Sequence, residues 1–94
     1  MNEEFTYILA ELDPYGHRSI TGSALTEKDG RALALELASS MEASGSYTMV
    51  EEAEIAHPEV RNDLIYSIRL EETGTTNKVA LELYRTPVYR LQYD

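Results

Sequence analysis

Apolar and polar residues alternate along most of this chain, and the spacing changes to a helical one only between residues 26 and 44. Apolar residues at every second position are typical of strands that show one face to a core. On this basis the sequence predicts strands at residues 4–12, 17–23, 47–56, 63–71, 78–85 and 88–93. In the first of these both faces are apolar, which favours a strand in the interior of a sheet.

Residues 26–44 show the periodicity of an amphipathic helix. Leu33, Leu37 and Met41 recur at four-residue spacing and form one stripe with Ala34. Gly30 lies on the same stripe one turn earlier, where it would let the helix approach a sheet closely. Thr26 followed by an acid three residues later is typical of a helix start. We therefore expect one helix with Leu33 and Leu37 as its core anchors.

The second half of the chain predicts a hairpin and a terminal strand. Apolar side chains alternate on one face of each hairpin strand: Leu64, Tyr66, Ile68 and Leu70 on the first, and Val79, Leu81 and Leu83 on the second. Pro87 is expected to interrupt the chain, so that residues 88–93 form an edge strand. In residues 47–56 we place Tyr47, Met49, Ala53 and Ile55 on one face, although residues 51–57 also fit a helical turn.

The elements up to residue 85 follow the order ββαβββ, and residues 88–93 would add one more strand. The sequence thus predicts a single α+β domain over residues 1–94, with one antiparallel sheet of about five strands and one helix packed on one face. Absence of cysteine excludes a disulfide framework, and no apolar run approaches the length of a membrane span. An acidic N-terminus is unlike a signal peptide, so a cytoplasmic protein is expected.

Charge is distributed very unevenly. Up to residue 60 the chain has 12 acids and three bases, whereas from Arg61 onward it has five of each. Between Arg31 and Arg61 there is no lysine or arginine. A negative surface attracts basic partners and repels phosphates. We therefore expect a protein partner with a basic surface, and neither direct nucleic-acid binding nor membrane binding.

Four acids in that stretch are the predicted centre of the binding surface. Glu42 lies near the helix C-terminus, the end that prefers cations, and three more acids follow on the next predicted strand: Glu51, Glu52 and Glu54. The alternative is a solvated face that only aids solubility.

Tyrosine is the second unusual feature, with seven tyrosines against one phenylalanine and no tryptophan. Tyr84 is predicted on the outer face of its strand, and Tyr89 and Tyr93 flank Leu91 on the terminal strand. Outward tyrosines are frequent at protein interfaces because they supply contact area at low entropic cost. The three residues are therefore predicted to bind a protein partner, and a second copy of the chain is one such partner.

No arrangement in the sequence indicates catalysis. The serines form no nucleophile elbow, the five glycines form no phosphate cradle, and the two histidines sit beside turns. A metal site from Glu54, His57 and Glu59 matches no known spacing and is interrupted by Pro58. We expect a non-enzymatic protein with no cofactor and no metal.

In size, acidity, lack of cysteine and lack of catalytic motifs the chain resembles the small phage-encoded inhibitors of host nucleases, including anti-CRISPR proteins. The resemblance is one of profile and includes no motif, so it assigns no residue. It implies an inhibitor that occupies a basic, nucleic-acid-binding surface as a nucleic-acid mimic. The alternative is a structural protein that oligomerises through its C-terminal edge strand and tyrosines. Steep salt dependence would distinguish the first from the second.

Overall fold

The computed structural model describes residues 5–55 and 63–87 of the 94-residue chain. Those residues form one antiparallel sheet of five strands and one helix, which confirms the predicted α+β class and the ββαβββ order. The elements are β1 (Phe5–Leu12), β2 (Arg18–Ala24), α1 (Glu27–Ala43), β3 (Tyr47–Glu54), β4 (Leu64–Glu72) and β5 (Lys78–Pro87). The spatial order of the strands is β2-β1-β5-β4-β3.

Helix α1 connects the two edge strands by crossing one face of the sheet, and it packs against all five strands. It begins as the sequence predicts, because the backbone N–H of Asp29 donates to the Thr26 side chain at 3.1 Å. Within the described part of the chain, no helix is long and apolar enough to cross a membrane.

The helix contacts the core through its smallest residues. Gly30, Ala34 and Ala38 are the buried residues of α1, whereas Leu33 and Leu37 are only half-buried and pack against the core from the flank. The predicted stripe is therefore on the correct side of the helix, but the two leucines are not at its centre. The large core side chains come instead from β1, β4 and β5: Leu9, Tyr66, Ile68, Leu70, Leu81 and Leu83.

Gly30 sets how closely the helix approaches the sheet, as the sequence predicts. A Cβ at this position would lie 2.9 Å from Cδ1 of Leu83 and 3.3 Å from Cβ of Tyr7. Both neighbours belong to the central strands β5 and β1. A side chain here would thus push the helix off the middle of the sheet.

Three register shifts, one in each of β2, β3 and β4, interrupt the alternation of side chains. In β4 the extra residue is Ile65, since Leu64 pairs with Tyr84 and the next pair is Tyr66 with Leu83. The prediction that Leu64 shares a face with Tyr66 is therefore wrong. One inserted residue reverses the face of every position before it, because side chains alternate with a period of two. Leu64 instead lies on the sheet face opposite α1, which we call the open face.

Strand β5 lies in the interior of the sheet, between β1 and β4. It extends beyond the predicted end at Arg85 as far as Pro87, which pairs with Phe5. The predicted edge strand at residues 88–93, with Tyr89 and Tyr93, lies outside the described residues.

Candidate functional site

Three of the four predicted acids lie close to the helix side of the edge strand β3, two on the strand itself and one on the last turn of α1. Glu52 pairs with Ile68 and Glu54 with Tyr66, and both partners are buried beneath α1, so the two glutamates point to the helix side of the sheet. Glu42 approaches them from the last turn of the helix, where its carboxylate accepts the backbone N–H of Met49 at 3.1 Å. We call Glu42, Glu52 and Glu54 the α1–β3 seam.

A β-bulge brings these acids to the helix side. Met49 pairs with Leu70 and Glu51 with Arg69, which leaves Val50 as the extra residue in β3. Beyond it, Glu52 and Glu54 occupy the side that Tyr47 and Met49 occupy before it. The prediction that Ala53 shares a face with Tyr47 is therefore wrong.

Glu51 does not join the seam. It points to the open face, where its carboxylate pairs with the Arg69 guanidinium of β4 at 3.0 Å. Both side chains are about half exposed, so the pair is worth at most about 1 kcal/mol. Its main effect is to neutralise the charge of Glu51 on the open face. The other three acids lie on the opposite face of the sheet, beside the helix.

Arg31 is the cation that faces the seam from the helix. Its guanidinium pairs with Glu54 on β3 and, at 3.2 Å, with Glu27 one turn earlier on α1. The hydrogen bond to Glu54 is the first cause that raises the pKa of Arg31 above its usual value. Glu54 is thus compensated, whereas Glu52 is exposed and forms no ion pair within residues 5–55 and 63–87.

Tyr66 forms the floor beneath the seam. Its ring lies 4.9 Å below the guanidinium carbon of Arg31, within the range of a cation–π contact. Its hydroxyl is buried and forms no hydrogen bond of normal geometry with another residue of 5–55 or 63–87. Burial, and then the neighbouring Glu52 carboxylate, raises the pKa of Tyr66 to about 12. This phenol therefore stays neutral near pH 7 and is a rigid support for Arg31 rather than a proton acceptor.

Tyr84 lies on the open face, as predicted, and is separate from the seam. Its hydroxyl donates to the Glu82 carboxylate at 2.9 Å, and the Nε of Arg18 donates to the same oxygen at 2.8 Å. Glu82 is only 7% exposed, so these two donors satisfy a carboxylate that burial would otherwise destabilise. Burial is also the main cause that raises the pKa of Tyr84.

Sequence reasoning did not find this Arg18–Glu82–Tyr84 cluster. The available signal was Glu82 between Leu81 and Leu83, on a strand that the pattern already places in the core. Its partner Arg18 is 64 residues away, and only the pairing of β1 with both β2 and β5 brings the two side chains together.

The described residues offer little for metal chemistry. Among residues 5–55 and 63–87, no three or more histidines, cysteines or acids are arranged to hold a metal ion. His17 is exposed and lies 3.5 Å from Asp13 within a turn, and His57 is outside the described residues.

Comparison of the chain with known protein families, with characterised proteins and with solved structures finds no match in any of the three.

Proposed function

We propose that this chain is a non-enzymatic binding protein whose α1–β3 seam docks on a basic surface of a protein partner. The observation that supports this best is the gathering of three exposed carboxylates on the helix side of one edge strand. Glu42 comes from α1, and Glu52 and Glu54 reach the same side because of the bulge at Val50 in β3. Bulges often re-aim side chains at functional sites.

Glu52 is the central residue of this proposal. It is exposed and lies between Glu54, which Arg31 compensates, and Glu42, which caps a backbone N–H. Its carboxylate forms no ion pair with a described residue, so it can pair with an incoming lysine or arginine without breaking an existing ion pair. A partner whose basic groove normally holds nucleic acid would present such cations, and the chain would then act as an inhibitor that excludes the nucleic acid.

Reversing the charge of Glu52 is the direct test. The partner is first identified by affinity capture from a native lysate with mass spectrometry, and is then purified for equilibrium binding. Glu52→Lys should weaken binding about tenfold or more at low salt, because charge pairs at such interfaces couple by more than about 1.4 kcal/mol. The difference should shrink at high salt, where exposed charges are screened.

The matched control is the double variant Ser19→Lys with Ser23→Lys. It makes the same change in net charge at two exposed positions of β2, the strand at the opposite edge of the sheet from β3. Binding by the control should stay near wild type, and thermal unfolding should show that both variants fold. Equal affinity for wild type and Glu52→Lys at both salt concentrations would contradict the proposal.

Assembly is a second candidate function, favoured by the open face. Ile20 on β2 is 76% exposed there, beside a groove of about 370 Å³ whose lining includes Ile8 and Tyr84. Two copies that pack these faces together would sediment as a dimer at high micromolar concentration, with little change as salt rises. Ile20→Ser should then shift the species to monomer, whereas Leu25→Ser, a similarly exposed site outside the strands, should not. A wild-type monomer at that concentration would rule out this function.

A further inference from the structure

A second groove lies on the opposite flank of α1 from the seam. Its floor is apolar and consists of Leu9 on β1 with Leu33 and Leu37 on the helix. Glu11 and Glu36 lie at its rim, and the volume is about 330 Å³. This is near the lower limit of typical ligand pockets, so it suits one or two side chains of a polypeptide. We call it the α1–β2 groove, because Thr21 of β2 closes its outer side.

The wall of this groove is held in place by close packing. Cδ2 of Leu33 lies against the backbone of Gly22 on β2, so closely that a Cβ there would be only 2.8 Å away. Thr21, the extra residue of the β2 bulge, donates its hydroxyl to the Leu9 carbonyl at 3.2 Å. A groove that is already formed binds without the entropic cost of ordering its walls.

No described residue supplies a compensating charge close to the two rim carboxylates. The cross-strand neighbours of Glu11 are Ser19 and Leu81. One turn to either side of Glu36 on the helix are Ala32, Leu33, Ser39 and Ser40, none of which is charged. Neither glutamate forms an ion pair with another described residue.

We propose that the α1–β2 groove binds a segment of a partner protein in which aliphatic side chains alternate with arginine or lysine. An aliphatic side chain would fill the floor between Leu33 and Leu37, and the adjacent cations would pair with Glu11 and Glu36. The apolar floor excludes a purely ionic contact, and the acidic rim repels lipid headgroups and nucleic acid. Complementary charge at the rim would also set the orientation of the segment.

The test is a nuclear magnetic resonance titration of the full chain with a short blocked peptide of alternating leucine and arginine. The methyl signals of Leu33 and Leu37 should shift on binding. Those of Leu35, which is partly exposed on the other flank of α1, should stay unchanged. Two matched peptides, with glutamine for arginine or serine for leucine, should bind at least about tenfold more weakly.

Variants of the chain separate the two halves of the site. Glu11→Gln combined with Glu36→Gln should weaken the peptide about tenfold at low salt, because it removes both rim charges. Ser40→Phe should block binding, since Ser40 lines the groove, whereas Ser39→Phe on the outer helix face should not. Circular dichroism verifies that each variant folds.

Several outcomes would overturn the proposal. One is that the methyl signals of Leu33 and Leu37 do not shift. Another is that the glutamine peptide or spermine binds as tightly as the leucine–arginine peptide. A third is that Ser39→Phe and Ser40→Phe weaken the peptide equally. The groove and the α1–β3 seam lie on opposite flanks of the helix. The peptide titration and the Glu52→Lys measurement therefore fail or succeed independently of each other.

Discussion

Leu81→Ala is expected to lower the free energy of unfolding by about 2–5 kcal/mol, the usual cost of a large-to-small change in a packed core. Leu81 is 0% exposed and lies at the centre of the sheet, paired with Glu11 on β1 and with Ile68 on β4. Helix α1 covers it from above, so little in its surroundings can collapse into the cavity. Urea denaturation followed by circular dichroism measures the change.

The matched control is Leu37→Ala, which removes the same atoms from a half-buried position on the flank of α1. Its cost should be clearly smaller, because part of its surface already contacts water and less apolar area is lost from the core. If the two variants cost the same, the helix leucines would contribute as much to the core as the strand leucines, against the arrangement described here.

The positions of the helix leucines show how much of the core the helical spacing predicts. The spacing of Leu33, Leu37 and Met41 predicts which side of the helix faces the sheet, and that side is correct. The pattern cannot predict how close the two layers come, because this depends on the residues of the sheet beneath. Gly30, Ala34 and Ala38 are small, so the axis approaches until the leucines are displaced to the flank.

The strand faces were predictable up to each bulge and not beyond it. Alternation assigns Tyr66, Ile68, Leu81 and Leu83 correctly, yet it fails at Leu64 and at Ala53. A bulge is defined by the pairing of two strands, so the alternation within one strand does not reveal it. Val50 and Ile65 are ordinary strand residues, without the glycine that would mark some bulges.

The acidic site was predictable as a set of residues but not as a surface. Sequence distance suggests that no base is near residues 42–54, yet Arg31 and Arg69 reach Glu54 and Glu51 from other elements. Glu51 and Glu54 form ion pairs and Glu42 accepts a backbone N–H, whereas the Glu52 carboxylate has no cationic partner among the described residues and only the Tyr66 hydroxyl nearby. This is why the charge reversal is designed at Glu52 rather than at all four positions.

Tyr66→Phe is expected to change the alkaline stability of the fold. The pKa of Tyr66 is raised from 10.0 to about 12, so between these values the folded chain keeps a proton that the unfolded chain has lost. The unfolded form then binds fewer protons, and the free energy of unfolding falls as pH rises. This contribution is complete below pH 10 and is lost by about pH 12. The total is about 2–3 kcal/mol, since each pKa unit corresponds to about 1.36 kcal/mol.

Unfolding at a series of pH values therefore gives a shallower alkaline loss for Tyr66→Phe than for wild type. At neutral pH the variant should be as stable as wild type or slightly more so, because it removes a buried hydroxyl that forms no well-aligned hydrogen bond within the described part of the chain. Tyr15→Phe, which removes an exposed hydroxyl, is the matched control. Parallel alkaline curves for wild type and Tyr66→Phe would show that the phenol is hydrated in the folded chain.

The pairing of β1 with β5 at the centre of the sheet has a consequence for how the chain folds. These strands are the first and last of the described elements, and Phe5 pairs with Pro87 across the whole intervening chain. During synthesis β1 can therefore form a hairpin with β2 but cannot reach its second neighbour until β5 has been made. A chain cut short before residue 78 would present open edges on both β1 and β4, which invites aggregation. Folding should accordingly be slow for a domain of this size, because the central ladder requires the longest closure in the fold.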